Sequence, residues 1–369
     1  MNRRPSKSRS SYDAFSAREA ARFRASSPDE SFFEDRKKPP FIRRLLFLVL
    51  LGIGLVLAAN LAVNQFVFID RVSVPVKGLD EAFDGYTILQ ISDLKGALYG
   101  GEQGLLRHVL RNERCDAVVL TGDMISALGS AEALYALLDV MGELYPQVPV
   151  YFIPGDSDPV PLSMAYALGG SPYAPWVLGA QQRGASYLTA PVGVTRGEQT
   201  LWLTPSALLS LDVDTMQGQY EAQYLAALAS GDQNSIELAV HYLRQLEDLR
   251  AAKKRARPGD IHIGVAHTPP SETEMAVLDG ELSLLLCGHT LGGLIRLPLL
   301  GALFMPSQSL PRYGLLPGAK EGYGLSQSAN PRVYVSPGLG QSDSHYPSFF
   351  FRLFNPPRVS LISLTPSTM

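Results

Sequence analysis

Five short polar blocks, each closing an apolar run, constrain this chain more than any other feature. They are Asp93-Leu94-Lys95, Gly122-Asp123, Gly155-Asp156-Ser157-Asp158, the lone His267, and Gly288-His289-Thr290-Leu291-Gly292-Gly293. The runs before them are Tyr86 to Ile91, Ala117 to Leu120, Val150 to Ile153, Ile261 to Ala266 and Leu282 to Leu286. They are short and aliphatic or β-branched, as buried strands are. Helical stretches separate the early ones: Glu102 to Asn112, and a second from an N-cap at Ser130 to about Glu143, which Pro146 and Pro149 stop. Further strands are expected at Tyr187 to Val194, Thr200 to Thr204, Val333 to Val335 and Val359 to Leu364. Such alternation specifies an α/β layered domain with its polar loops at strand ends.

Between Asp214 and Arg257 the pattern turns helical. Met216, Tyr220, Tyr224 and Leu228 share one face, and Ile236, Val240, Leu243, Leu246 and Leu249 share another. Asn234 with Glu237 reads as a capping pair, and Lys253, Lys254, Arg255 and Arg257 suit the helix C-terminus before Pro258-Gly259 ends it. A helical hairpin inserted over residues 214–257 is expected. Its apolar faces either pack on the parent domain or receive a protein partner, and packing is the simpler reading.

The segment Leu45 to Val63 carries no charge over 19 residues. As a helix it extends ~28 Å at 1.5 Å per residue, close to the hydrocarbon thickness of a bilayer. The 44-residue leader before it holds 12 Lys/Arg against 6 Asp/Glu, and residues 45–369 hold 20 against 29. Ala58-Ala59 resembles a signal-peptidase site, but so long a charged leader favours an uncleaved anchor. The positive-inside rule then keeps a disordered, basic leader (1–44) in the cytoplasm. It also makes residues 45–63 a single pass through the plasma membrane and places the main domain outside. The basic leader also suits anionic lipid headgroups, although a topology signal alone explains it. The acidic outer portion excludes a nucleic-acid partner. Cys115 and Cys287, each beside a strand-like run, read as small buried side chains and not as a disulfide or a zinc site.

In this order the blocks resemble the calcineurin-like metallophosphoesterase superfamily, and within it the membrane-associated bacterial branch. The family pattern runs Asp-x-His, Gly-Asp, Gly-Asn-His-Asp, a lone His, then Gly-His-x-His-Gly-Gly. Arg296-Leu297-Pro298 with Gly301, then Tyr334-Val335-Ser336-Pro337-Gly338-Leu339-Gly340 with Pro356-Pro357, look like the branch's C-terminal region. The resemblance runs from about Phe83 to Leu364. It implies a domain over 83–365 built as a layered β-sandwich flanked by helices, with two divalent ions that polarise a phosphate and activate a bridging water.

The matching positions divide unequally. One ion would take Asp123, Asp156, His267 and His289, and all four can ligate. The other would take Asp93 and Asp123, but its two histidines are Lys95 and Leu291 here. The family's catalytic histidine is Ser157, which has no group that titrates near neutral pH. Lys95 either neutralises Asp93 and Asp123 or turns to solvent as a loop lysine. Asp158 is expected only to cap the turn before Pro159. The resemblance therefore implies one divalent ion (Mn, Fe or Zn), or none, and a weak or inactive pseudoenzyme that binds a phosphate-containing ligand or a partner. The alternative is a one-metal phosphoesterase or pyrophosphatase acting on lipid-linked or cell-wall phosphoesters.

Overall fold

The computed structural model describes residues 40–125, 129–163, 165, 171–293, 295–297, 299–305, 314–318, 322–326, 331–340 and 352–367. Internal contacts divide the chain into the units Met1–Leu57 and Ala58–Met369. Most of the basic leader lies outside the described residues. The described chain begins with helix α1 (Pro40–Val63), whose segment Phe41–Val63 is long and apolar enough to cross a membrane. Strands β1 (Phe68–Lys77) and β2 (Thr87–Ile91) follow. Then come α2 (Gly104–Leu110), β3 (Ala117–Leu120), α3 (Glu132–Leu144), β4 (Val150–Phe152), α4 (Pro175–Gln182) and β5 (Ala185–Tyr187).

The second half adds β6 (Val192–Arg196), β7 (Gln199–Pro205), α5 (Val213–Ser230) and α6 (Gln233–Arg255). It continues through β8 (Ile261–Val265), α7 (Glu272–Leu278) and β9 (Leu284–Cys287). The small strands β10 (Arg296–Leu297), β11 (Gly301–Met305) and β12 (Gly314–Gly318) form a sheet of their own. Strands β13 (Gly324–Leu325), β14 (Arg332–Val335) and β15 (Arg358–Ser367) complete the chain's described elements.

Two six-stranded sheets face each other, ordered β1-β15-β2-β3-β4-β5 and β13-β14-β9-β8-β7-β6. Side chains alternate across each strand. Ile88, Val119, Ile362 and Leu364 of the first sheet therefore meet Leu203, Ile263, Val265 and Leu286 of the second in the sandwich core. The opposite face of the first sheet, with Leu89, Ile91, Val118 and Leu120, is covered by α2, α3 and α4 through Leu106, Leu137, Met141 and Val177. Leu278 on α7 covers Leu285 and Cys287 behind the second sheet. Burying each such side chain contributes about 1.5–3 kcal/mol. The expected β-sandwich flanked by helices is therefore the observed fold. Cys115 and Cys287 are both free thiols.

Several local expectations change. The run Tyr187 to Val194 is two strands, because the chain leaves β5 on the edge of one sheet and re-enters at β6 on the edge of the other. Ser130 lies one residue ahead of the α3 N-cap, Ala131. In the hairpin Asp232, not Asn234, caps α6, accepting from the N–H groups of Asn234 and Ser235. The hairpin also supplies the crossover between the parallel neighbours β7 and β8. Its helices meet through stacked Tyr220 and Tyr242, 4.7 Å between ring centroids. It is tied down by Gln245 donating to the Thr189 carbonyl and by His241 edge-on to Tyr173. α6 buries Ala239, Leu246 and Leu249, whereas Ala227 is the one residue α5 buries among those described.

Candidate metal centre

All five polar blocks sit just past the C-terminal ends of parallel strands. Asp93 follows β2, Asp123 follows β3, Asp156 follows β4, His267 follows β8 and His289 follows β9. These are the edges where α/β sheets present ligand-binding loops. The turns are tight enough that Asp93, Lys95, Asp123, His289 and Leu291 all have φ between 49° and 70°. Non-glycine residues in this left-handed region cost about 1–3 kcal/mol each, and such strain concentrates at functional sites.

The loops also approach too closely for side chains at two glycines. A Cβ at Gly155 would strike the Asp123 backbone N and Oδ1, and one at Gly288 would strike the Ser92 hydroxyl. Gly155, before Asp156, and Gly288, before His289, are thus packing requirements of the site.

Two overlapping groups of potential ligands result, Asp156–His267–His289 and Asp93–Asp123–His267, each with donor atoms within 4.8 Å of one another. In the first, His267 Nε2 lies 3.3 Å from His289 Nδ1, and His289 Nδ1 lies 3.2 Å from Asp156 Oδ2. Four donors around an ion at ~2.0–2.1 Å in tetrahedral array stand roughly 3.3 Å apart, so this spacing fits a divalent metal. His267 Nδ1 donates to the Thr121 carbonyl at 2.8 Å, which fixes the ring and leaves Nε2 directed at the site. The imidazole and carboxylate donors suit Zn, Mn or Fe.

The electrostatics divide this half from the other. Burial works against a charged His267, but its hydrogen bond to Asp123 and the carboxylates of Asp93 and Asp123 raise it to about 9. Burial and then the charge on His267 push His289 down. In the ion-free pair the positive charge therefore sits on His267 and not on His289. Asp156 is the open edge, its side chain 66% exposed and accepting from the Thr268 hydroxyl at 3.1 Å.

On the other side Lys95 decides the geometry. Its Nζ donates to Asp123 Oδ2 at 2.9 Å, with the side chain only 9% exposed, so the solvent-facing alternative is wrong. Burial alone would push the Asp123 carboxyl up. The hydrogen bond and charge of His267, joined by the Lys95 ammonium, hold it well below the usual carboxylate range. Asp93 is wholly buried. Its Oδ2 accepts from the Ser92 hydroxyl and the His289 N–H, and its Oδ1 has no hydrogen-bond partner. Leu291 is buried as well, with its carbonyl held by Asn355.

Ser157 donates its backbone N–H to Asp123 Oδ1 at 2.8 Å, and its buried hydroxyl has no partner. Asp158 does more than cap a turn. Its Oδ2 accepts from the N–H groups of Asp123 and Gly155 and its Oδ1 from that of Ile125, so it clamps two site loops together. Burial pushes its carboxyl up despite those three bonds.

Sequence reasoning missed Arg352. It is fully buried, and its guanidinium donates to the carbonyls of Pro337, Gly338 and Gly340 at 2.7–3.0 Å. Burial lowers it to about 10. The loop it holds packs on the site, since Gly340 N–H donates to the Asp93 carbonyl and Leu339 N–H to that of Ser92. The Arg352 carbonyl in turn accepts from Asn60 and Asn64 at 2.6 Å, on and just past the last turn of α1. A lone arginine in the apolar stretch Phe349 to Phe354 was the signal available.

The family model for calcineurin-like phosphoesterases matches residues 86–293, which contain every ligand position above, and the chain belongs to that family. No curated protein matches the chain. The fold is similar to the crystal structure of phosphopantetheinyl hydrolase from Mycobacterium tuberculosis. That match has 12% identity and a TM-score of 0.36, and covers 78% of this chain and 98% of that one. A second crystal structure aligns with the same identity and TM-score over 69% of this chain and 91% of its own. At these scores neither likeness carries weight for activity.

Proposed function

We propose that this protein is a membrane-anchored phosphoesterase-family member holding one divalent ion, in which a lysine ammonium takes the place of the second. It binds a phosphate-containing ligand and hydrolyses it weakly or not at all. The observation that carries this reading is the buried Lys95–Asp123 pair beside an intact Asp156–His267–His289 group. An ion held by that group with Asp123 would polarise a phosphate oxygen. Lys95 adds a positive charge on the opposite side, enough to orient a phosphate. Nothing equivalent moves a proton: Ser157 does not titrate, and Asp158 is committed to three backbone groups.

A second reading, a slow one-metal phosphoesterase acting on lipid-linked or cell-wall phosphoesters, is favoured by the oriented His267 ring. One experiment separates them. Metal analysis of the purified full chain should give one ion, lost in His289→Ala, with negligible turnover of an activated phosphodiester. A robust metal-dependent rate would promote the second reading, and two tight ions would defeat both.

The proposed domain scheme is a cytoplasmic leader (1–44), an anchor (45–63) and an outer phosphoesterase-like domain (83–365). Its motivation is the apolar helix and the charge asymmetry across it. Protease added to spheroplasts should digest the domain, and complete protection would reverse the topology.

A further inference from the structure

A cavity of about 270 Å³ borders the metal centre at the edge where the parallel strands β7 and β8 end. Its walls come from the turn after β7 (Ser206–Leu208), the chain just past β8, and α7. Ala266 and Thr268, the two neighbours of His267, both line it. Thr268 also donates its hydroxyl to Asp156 Oδ2 at 3.1 Å, so one side chain both borders the cavity and supports a candidate ion ligand.

The lining offers hydrocarbon and little else. Ala207, Ala266, Pro269, Pro270, Val277 and Leu278 carry no polar side-chain group. The polar side chains beside them already have partners: Thr268 is held by Asp156, and the Ser210 hydroxyl donates to the Ala207 carbonyl. The Glu274 carboxylate accepts from the Ser271 N–H and hydroxyl at the start of α7, where it completes a capping box. Size sets a second limit. Pockets for drug-sized ligands run to about 300–1,000 Å³, so this one suits a single compact group.

Exposure indicates where such a group would come from. The side chains of Asp123, His267 and His289 are 3%, 5% and 29% exposed, whereas that of Asp156 is 66% exposed. A ligand therefore reaches the ion from the Asp156 side, and whatever it carries beyond its phosphate remains there, next to Thr268.

We propose that this cavity holds the ester group of the phosphate-containing ligand, and that the group is compact and apolar, an aryl or short branched alkyl. This inference rests on the ion-and-phosphate reading above and names the ligand class for that same site. Ser206, Thr268 and Pro269 then border the ligand without contacting its phosphorus, and selectivity comes from apolar area removed from water.

The test is calorimetry on the full chain in phosphatidylcholine nanodiscs with manganese(II). Methylphosphonate and phenylphosphonate serve as probes, since they share a head group and are not hydrolysed. Phenylphosphonate should bind about tenfold tighter or more. Ala207→Trp, at an exposed rim position, should fill the cavity and remove that preference while ion stoichiometry and methylphosphonate affinity stay unchanged. Val277→Trp, at a site 52% exposed on α7, is a second blocking variant should the first misfold. Equal affinities in the unaltered chain would overturn the proposal and leave the phosphate site standing. Binding of neither probe in the presence of the ion would remove both. A phenyl preference that survives in a folded blocking variant would place the ester group elsewhere and would also overturn it.

Discussion

The two candidate ligand groups overlap at His267 yet differ in what supports them. In the half built from Asp156, His267 and His289, two donor separations of 3.2–3.3 Å frame a gap of ion size, and the outermost ligand is open to solvent. In the half built from Asp93 and Lys95, Asp93 is buried, the Lys95 side chain is only 9% exposed, and this protein cation already faces the Asp123 carboxylate. In the proposed site, one half is open to exchange a ligand with its surroundings, and the other is held by the protein's own charges. On the proposed one-ion reading, Lys95 supplies permanently the positive charge that a second ion would supply reversibly.

The strongest attempt to break this contrast is to restore the first half. Changing Lys95→His, Ser157→His and Leu291→His together should raise ion stoichiometry and increase phosphodiester hydrolysis by about a hundredfold to ten-thousandfold. Each single change should do little, because these parts act as a unit. A triple variant that binds two ions and stays inert would place the fault outside these three positions.

Removing the cation tests whether that half is structural. Lys95→Met removes the ammonium that faces the buried Asp123 carboxylate and should cost up to about 3 kcal/mol in chemical denaturation of the ion-free chain, His267 and the Ser157 N–H remaining as partners. A loss below 1 kcal/mol would mean that Lys95 is an ordinary partner. The smallest effect belongs to the open half. Asp156→Asn should change stability by no more than about 0.5 kcal/mol, as exposed substitutions do, while measurably weakening ion binding in calorimetry. Unfolding on that substitution would erase the distinction between the halves.

The strands were legible where an apolar run ended in a polar block: β3 is the run Ala117 to Leu120, and Asp93, Asp123, Asp156, His267 and His289 do converge. What was not legible depended on contacts distant in sequence. β1 was overlooked because Arg71 and Pro75 interrupt its apolar pattern, and its parallel pairing with β15 supplies what its own sequence lacks. The Tyr187 to Val194 run could not reveal that it crosses between sheets. Asp158 and Arg352 bond mainly to backbone groups, which leave no mark on side-chain patterns. The direction of Lys95 was open for the same reason, since a loop lysine reads alike whether its ammonium meets water or a carboxylate.

The order of the first sheet has a consequence for how the protein comes to be made. β15 lies between β1 and β2, although it follows every other strand of that sheet in the sequence. Until it emerges, neither neighbour has its final partner, and both expose an unsatisfied row of backbone groups. Closure over so long an intervening chain is slow. During synthesis the nascent chain must therefore hold two raw edges apart until its latest strand arrives, which makes this seam the step most vulnerable to aggregation and to rescue by a chaperone.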